Sequence, residues 1–320
     1  MIVHLPTIKQ LQYLVALRRS GHFGKAADAC FVTQSTLSAG LRELETLLGV
    51  MLVERTRRVV RFTALGEKIA DKATTVLRET EELAEMARAQ GRPLHGELRM
   101  GVIPTIAPFL LPTMLPRLRE LWPELKLYLR EETSNAACDA LHRGQLDCVL
   151  LALPFGCGEV DSASLFDDPL YVAYPSGEAP AGKTIDAAEI DETRLLLLED
   201  GHCLKDHALS ACNRPELRAN AAMVGTSLHT LVQMVDNGLG VTFVPGMAIE
   251  AGILTGTGVD ARPLRSEHPN RRIALIWRRS SPRESEFQML AASLRRIAGD
   301  LVPVLSSAEI CAPALAPACA

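Results

Sequence analysis

The sequence predicts an N-terminal all-α helix-turn-helix with a hairpin wing and a long linker helix, followed by a C-terminal α/β body of two lobes. Three observations carry this. Positive charge gathers in the first 65 residues, with nine Lys/Arg against four Asp/Glu, whereas the 320-residue chain as a whole carries −4. Apolar residues recur at helical spacing up to about residue 90. Beyond that point short apolar runs alternate with helical patterns, as βαβ units do. The length suits about two domains of ~150 residues. A content of 48% apolar and 22% charged residues allows proper cores and excludes a disordered chain, and 4% aromatics makes those cores mostly aliphatic.

Leu11, Leu14, Val15 and Leu17 mark a first helix ending near Ser20-Gly21. Phe23–Cys30 reads as a short helix with a small Ala26-Ala27 face, and Phe31-Val32-Thr33 turns the chain. Gln34–Leu48 restarts it, with Leu37, Leu41, Leu44 and Leu48 forming one buried stripe. The opposite face presents Gln34, Ser35, Thr36, Ser38 and Arg42, preceded by Thr33. Short hydrogen-bonding groups followed by a guanidinium suit a helix end lying in the major groove of DNA. Gly49 is placed as a helix-ending C′ glycine. Met51–Phe62 reads as a two-stranded wing whose tip, Arg57-Arg58, would place cations on backbone phosphates.

From Ala64 to Gln90, Ile69, Val76 and Leu83 recur every seven residues, with Ala73, Thr80 and Ala87 between them. Such a helix spans roughly 40 Å and suits a dimer-forming linker. Gly91-Arg92-Pro93 ends it. The body then offers strands at Glu97–Ile103 and Leu125–Arg130, helices around Phe109–Leu121 and at Ala136–His142, and a buried parallel strand at Leu146–Leu153. A second set begins near Leu165 and includes Arg194–Leu198 and Val241–Val244. The chain returns through Arg272–Trp277 to a last helix at Glu284–Ala298. The expected boundaries are 1–65, 66–92 and 93–302, with 303–320 a flexible Ala/Pro tail.

Several classes drop out. Met1–Leu14 lacks an export pattern, and Leu301–Ala320 is broken by three prolines, so the expected location is the cytoplasm with no membrane association. Gly256–Ala261 matches a dinucleotide glycine pattern but neither follows a strand nor opens a helix. P-loop, nucleophile-elbow and zinc-protease motifs are missing, and no cofactor or metal is implied. The eight cysteines contain no C-x-x-C pair.

Most of those cysteines read as buried or idle thiols, including Cys148 and Cys157, and the tail pair Cys311 and Cys319. Cys203 differs, because it follows Gly201-His202 and precedes Lys205 and Asp206. A thiolate is the reactive form, and Lys205, His202 or a helix N-terminus near Cys203 would favour it, while a close Asp206 would oppose it. Cys212 lies nine residues on. If Leu204–Cys212 is helical, about 14 Å of rise separates the two sulfurs on opposite faces. A disulfide needs Cα atoms within about 7 Å, so such a bond would require this helix to melt.

The segment AADACFVTQSTLSAGLRELETLLGVMLVERTRRVVRFTALG closely resembles the winged helix-turn-helix of LysR-type transcriptional regulators. Val53 stands where that family usually has an aromatic. The two α/β lobes are similar to the family's periplasmic-binding-protein-like effector domain, whose crevice is the sensing site. LEDGHCLKDHALSAC, together with GVIPT, LDCVLLAL and GLGVTFVP, looks like the hydrogen-peroxide-sensing branch of the family. That resemblance implies a peroxidatic Cys203, a disulfide partner in Cys212, and a pocket of Thr105, Thr133, His202, Asp206 and Arg271, with Arg272 competing for the last place. Lys205 stands where the branch commonly has Arg, which keeps the charge and loses the planar fork.

The resemblance further implies operator DNA, hydrogen peroxide, further copies of the chain (a dimer, and a tetramer on DNA) and RNA polymerase as partners, with no enzymatic activity. Two alternatives stay open. One is a regulator responding to a small organic effector in the crevice. The other is a stand-alone thiol peroxidase, which would have no use for Gln34–Arg42 or the basic wing.

Overall fold

The computed structural model describes residues 5–55, 60–88, 93–211, 224–265 and 271–301. The chain divides into two compact units, residues 1–92 with 142–145, and residues 93–141 with 146–320.

In the first unit, α1 (Ile8–Ser20), α2 (Phe23–Ala29) and α3 (Gln34–Leu48) pack around a core that includes Leu14, Leu17, Ala26, Leu37, Leu41 and Leu44. Local chemistry sets each boundary. Thr7 makes a reciprocal capping box with Gln10 at the start of α1. The ring Nδ1 of His22 accepts from the Gly24 and Lys25 amides to cap α2. Thr33 caps α3 by accepting from the Thr36 amide at 3.2 Å. Gly21 and Gly49 end α1 and α3 in the left-handed conformation that glycine adopts without penalty. The expected Leu stripe of α3 is one residue shorter than read. Leu48 is 37% exposed, because the helix ends at Gly49 before its face meets a partner.

Two short strands, β1 (Val53–Arg55) and β2 (Val60–Phe62), pair antiparallel as the wing, with Val53 buried in the core. The Glu45 carboxylate accepts from the Leu52 and Val53 amides and fastens the wing to α3. The wing tip with Arg57 and Arg58 lies outside the described residues. The long helix α4 (Ala64–Arg88) begins beside the wing, and Arg18 of α1 pairs with its Glu67 and Asp71 at 2.8 and 2.6 Å.

The second unit holds two lobes. The first is built on β3 (Gly96–Val102), α5 (Ala107–Leu121), β4 (Leu125–Glu131), α6 (Ser134–His142), β5 (Cys148–Leu153) and β6 (Val160–Asp167). The second comprises β7 (Leu170–Tyr174), β8 (Leu197–Leu198), α7 (Cys203–Ala211), β9 (Val224–Gly225), α8 (Leu228–Asp236), β10 (Thr242–Pro245), α9 (Gly246–Glu250) and β11 (Asp260–Pro263). The chain then re-enters the first lobe through β12 (Arg272–Arg278) and α10 (Glu284–Leu301). The large sheet runs β4-β3-β5-β12-β6, and a smaller one runs β10-β7-β11.

β5 carries the predicted apolar run and is parallel to β3, but its other neighbour β12 is antiparallel. The expectation of a second βαβ set from Leu165 is corrected. Leu165 lies on β6, an antiparallel edge strand of the first sheet, because β12 returns beside it. β7 pairs antiparallel with both β10 and β11, so among the described residues parallel pairing in the second lobe is confined to β8 with β9 and two isolated bridges. Arg194, read as strand, ends a 3₁₀ turn capped by Asp191. The core is aliphatic apart from a few rings such as Trp277, Phe287 and Phe243. No described helix is long and apolar enough to cross a membrane.

Candidate functional site

The first candidate surface is the start of α3. Thr33, Gln34, Ser35 and Thr36 are exposed, Ser38 is half-buried and Arg42 is exposed. The Thr33 hydroxyl also lies 2.9 Å from that of Ser35 and 2.8 Å from that of Thr36. Arg42 donates to Ser38 one turn back at 3.3 Å. This side of α3 is polar because the opposite side is committed to the core. Gly40 faces Tyr13 so closely that a Cβ would sit 2.8 Å from its ring. The result is a capped helix end presenting hydroxyl, amide and guanidinium groups outward, the inventory that reads base edges and phosphates.

The second candidate is in the effector body. α7 begins at Cys203, immediately after Gly201 turns the chain at φ +98. Across that turn stands Thr133, its hydroxyl 3.6 Å from where a Cβ on Gly201 would lie. Cys203 is 1% exposed, and its amide donates to the Ser134 hydroxyl at 3.3 Å. Burial pushes the thiol up from its ordinary range. Opposing that are the Arg271 guanidinium first, then hydrogen bonds from Ser134 and from the Ala152 amide, while the Asp206 charge reinforces the rise.

Arg271 is fully buried. It donates to the Thr105 hydroxyl at 3.1 Å and lies 3.7 Å from the carboxylate of Asp168, also fully buried. Burial pushes Asp168 up, against the pull of Arg271 and of the Met247 and Gly246 amides. Among the described residues, Arg271 Nε and Nη1 have no hydrogen-bond acceptor. A buried guanidinium with free N–H groups near a thiol is suited to bind a small polar oxidant and to stabilise charge leaving it.

Thus Cys203, Thr105 and Arg271 share one buried neighbourhood, and Thr133 borders its entrance turn. His202 is buried; burial lowers its pKa, its Nε2 is 3.9 Å from Glu199, and its Nδ1 has no hydrogen-bond partner among the described residues. Asp206 points to solvent although its charge is felt at the sulfur. One reading is corrected, and of the two arginines left open Arg271 is the buried one. Lys205 does not supply the cation for the thiol, because Asp200 holds its ammonium at 2.5 Å and Arg271 takes that place. Arg272 lies on the surface, bound to Asp167 at 2.7 Å, since the side chains of β12 alternate in direction.

Sequence reasoning missed Ser134, Asp168, Ala152 and His207. His207, one turn after Cys203, is buried with Nε2 2.8 Å from the Pro154 carbonyl, and burial lowers its pKa to about 4. Its i, i+4 spacing from Cys203 was the available signal. Cys212, and Cys311 and Cys319 of the 303–320 tail, lie outside the described residues. Cys148 behaves as an idle thiol, buried on β5 and pushed far up by desolvation. Cys157 does not, because it is disulfide-bonded to Cys138.

A winged helix-turn-helix with an outward recognition face, followed by a two-lobed α/β domain, defines a DNA-binding regulator with an effector domain. Residues 8–67 match the bacterial regulatory helix-turn-helix protein, lysR family, and residues 91–298 match the LysR substrate binding domain. The chain belongs to the LysR family of transcriptional regulators. It is 41% identical over 297 residues to the HTH-type transcriptional regulator EstR of Acinetobacter baylyi, covering 93% of this chain and 99% of that one. It is also 41% identical over 303 residues to the hydrogen peroxide-inducible genes activator of Escherichia coli, covering 94% and 99%. Among solved structures it resembles a full-length OxyR variant from Pseudomonas aeruginosa, with a TM-score of 0.73 and 36% identity over 91% of this chain and 98% of that one.

Proposed function

We propose that this regulator senses hydrogen peroxide through Cys203 and passes the signal to DNA-bound subunits. The observation that carries the reading is the buried thiol at the α7 N-terminus facing a guanidinium with unsatisfied N–H groups. The Cys203 thiolate attacks one peroxide oxygen, the O–O bond breaks, and the other oxygen leaves as hydroxide, giving a sulfenic acid. Arg271 and Thr105 stabilise the leaving oxygen, Thr133 and His202 complete the pocket, and the exposed Asp206 acts on the thiol through its charge. Cys212 then attacks the sulfenic sulfur, water departs, and a Cys203–Cys212 disulfide remains.

α7 makes this a switch. From Cys203 to Ala211 its rise is about 12 Å, more than the ~7 Å a disulfide tolerates, so bonding requires the helix to unwind. The freed segment rearranges the effector domain, and with it the oligomer. Residues 1–65 bind operator DNA, with Thr33, Gln34, Ser35, Thr36, Ser38 and Arg42 in the major groove and Arg57 and Arg58 on phosphates. Residues 66–92 form the dimer seam, residues 93–302 sense, and a tetramer assembled on DNA meets RNA polymerase in the cytoplasm.

The test is thiol-blocked peptide mapping after about one equivalent of hydrogen peroxide. A Cys203–Cys212 disulfide formed before any other cysteine is oxidised supports the reading, as does loss of the response in Cys203→Ser. An unreactive Cys203 overturns it. The equal identity to EstR favours as second reading a small organic effector in the crevice. A ligand-induced thermal shift without thiol chemistry would select it.

A further inference from the structure

Peroxide chemistry at Cys203 gives the Cys138–Cys157 disulfide no role. Its Cα atoms are 5.5 Å apart, within the range such a bond needs. Cys138 lies on α6 one helical turn after Ser134, so both project from the same face. Cys157 follows β5, three residues after Pro154. Those two neighbours are the groups that hold α7: Ser134 accepts from the Cys203 amide at 3.3 Å, and the Pro154 carbonyl meets His207 Nε2 at 2.8 Å. Cys203 and His207 are themselves one turn apart on α7. The disulfide therefore ties together the two segments on which the reactive face of α7 rests. Ala152, whose amide reaches the Cys203 sulfur, is on β5 immediately before the tied loop.

We propose that Cys138–Cys157 is a second thiol–disulfide couple in this protein, exchanging with low-molecular-weight thiols, and that its state sets the reactivity of Cys203. Closed, it fixes the spacing between α6 and the loop after β5, so Ser134 and Ala152 stay aimed at the sulfur. Open, the two segments separate independently and Cys203 loses donors that favour its thiolate. The exchange is a two-electron step. A reductant thiolate attacks one sulfur, the Cys138–Cys157 bond breaks, and the released sulfur takes a proton. A second reductant thiol resolves the mixed disulfide and leaves joined to the first. DNA-binding proteins work where thiols are kept reduced, and disulfides in that setting are usually transient, catalytic or redox-sensing. The inference rests on the peroxide reading of Cys203.

The test uses the full chain. In a Cys203→Ser background, equilibration in mixtures of reduced and oxidised dithiothreitol, followed by alkylation and peptide mapping, reads the couple alone. Cys138 and Cys157 are expected to become alkylated together in one two-electron transition. In the chain with Cys203 present, sulfenic acid formation at Cys203 is timed after a peroxide pulse, with the pair closed, opened by dithiothreitol, or removed by Cys138→Ser and by Cys157→Ser. Opening and removal are expected to slow that step at least about fivefold and to move its pH profile upward. The opened native chain serves as control if a substitution impairs folding.

Independent alkylation of the two cysteines at every poise overturns the proposal. Concerted titration with an unchanged Cys203 rate overturns the coupling and leaves the peroxide reading standing. A Cys203 inert to peroxide in both forms overturns that reading and this inference with it.

Discussion

The Arg271 guanidinium donates to the Thr105 hydroxyl at 3.1 Å while Nε and Nη1, equally buried, meet no acceptor among the described residues. The ion pair with Asp168, at 3.7 Å, is too long to count as a hydrogen bond and fixes the charge without occupying those donors. Positive charge is thus held beside Cys203 with hydrogen-bonding capacity to spare. Arg271→Lys keeps the charge and loses the planar fork, so peroxide oxidation of Cys203 is expected to slow by about tenfold or more. Arg271→Ala also leaves Asp168 buried and unpaired, at a cost of about 3–5 kcal/mol in stability. Quenched peptide mapping and denaturant unfolding measure the two effects. A wild-type rate in Arg271→Lys would show that the fork is not used.

His207 makes stability depend on pH in a defined direction. Its folded-state pKa of about 4 lies below the ordinary value of 6.5, so the unfolded chain binds the extra proton between those values. Its contribution is complete above about pH 6.5 and is lost as pH falls toward 4, amounting to about 3 kcal/mol. His202, also lowered by burial, acts with the same sign. His207→Gln should therefore flatten the fall in unfolding free energy between pH 7 and pH 4 without abolishing it. An unaltered slope would place the acid sensitivity elsewhere.

The sequence was readable where structure is decided locally. The turn closing at Thr33 and the glycine at Gly49 marked the ends of α3 because a helix end is set within its own turn. The start of the second set near Leu165 was not legible because the pairing of that strand is decided by β12, more than a hundred residues later. Lys205 stood among the groups that could favour the thiolate because it is near in sequence, yet Asp200 binds its ammonium and the cation acting on Cys203 is Arg271, from the far end of the domain. The Cys138–Cys157 bond has a separation of 19 residues, a spacing that carries no signal until α6 and the loop after β5 are packed.

Gly66 separates packing from propensity. It lies in the first turn of α4, where a Cβ would stand 2.1 Å from the Leu52 carbonyl oxygen, a backbone atom that also accepts from the Thr63 amide at 3.0 Å. Helix propensity alone would make Gly66→Ala stabilising by about 0.8–1 kcal/mol. Overpacking against the fixed carbonyl should instead destabilise the N-terminal unit by about 1–3 kcal/mol and splay the wing from α4. Thermal unfolding gives the sign directly, and a raised midpoint would refute the close approach.

The seven-residue row of α4 ends in a test of assembly. Ile69 packs against the N-terminal core, but Val76 is 38% exposed and Leu83 69% exposed, so the row leaves that core as it runs along the helix. A large apolar side chain presented every second turn on a polar helix is the pattern of a seam between helices. A dimer through this seam would couple two recognition helices to half-sites about 34 Å apart. Leu83→Glu places a like charge on both sides of such a seam, and Val76→Glu does so one heptad earlier. Each is expected to shift sedimentation toward the monomer and to weaken operator binding at fixed salt by about tenfold or more, through loss of linked half-site binding. The fold of each unit should be retained, because neither side chain belongs to a core. A variant that stays dimeric and binds DNA as tightly as the parent would remove α4 from the interface.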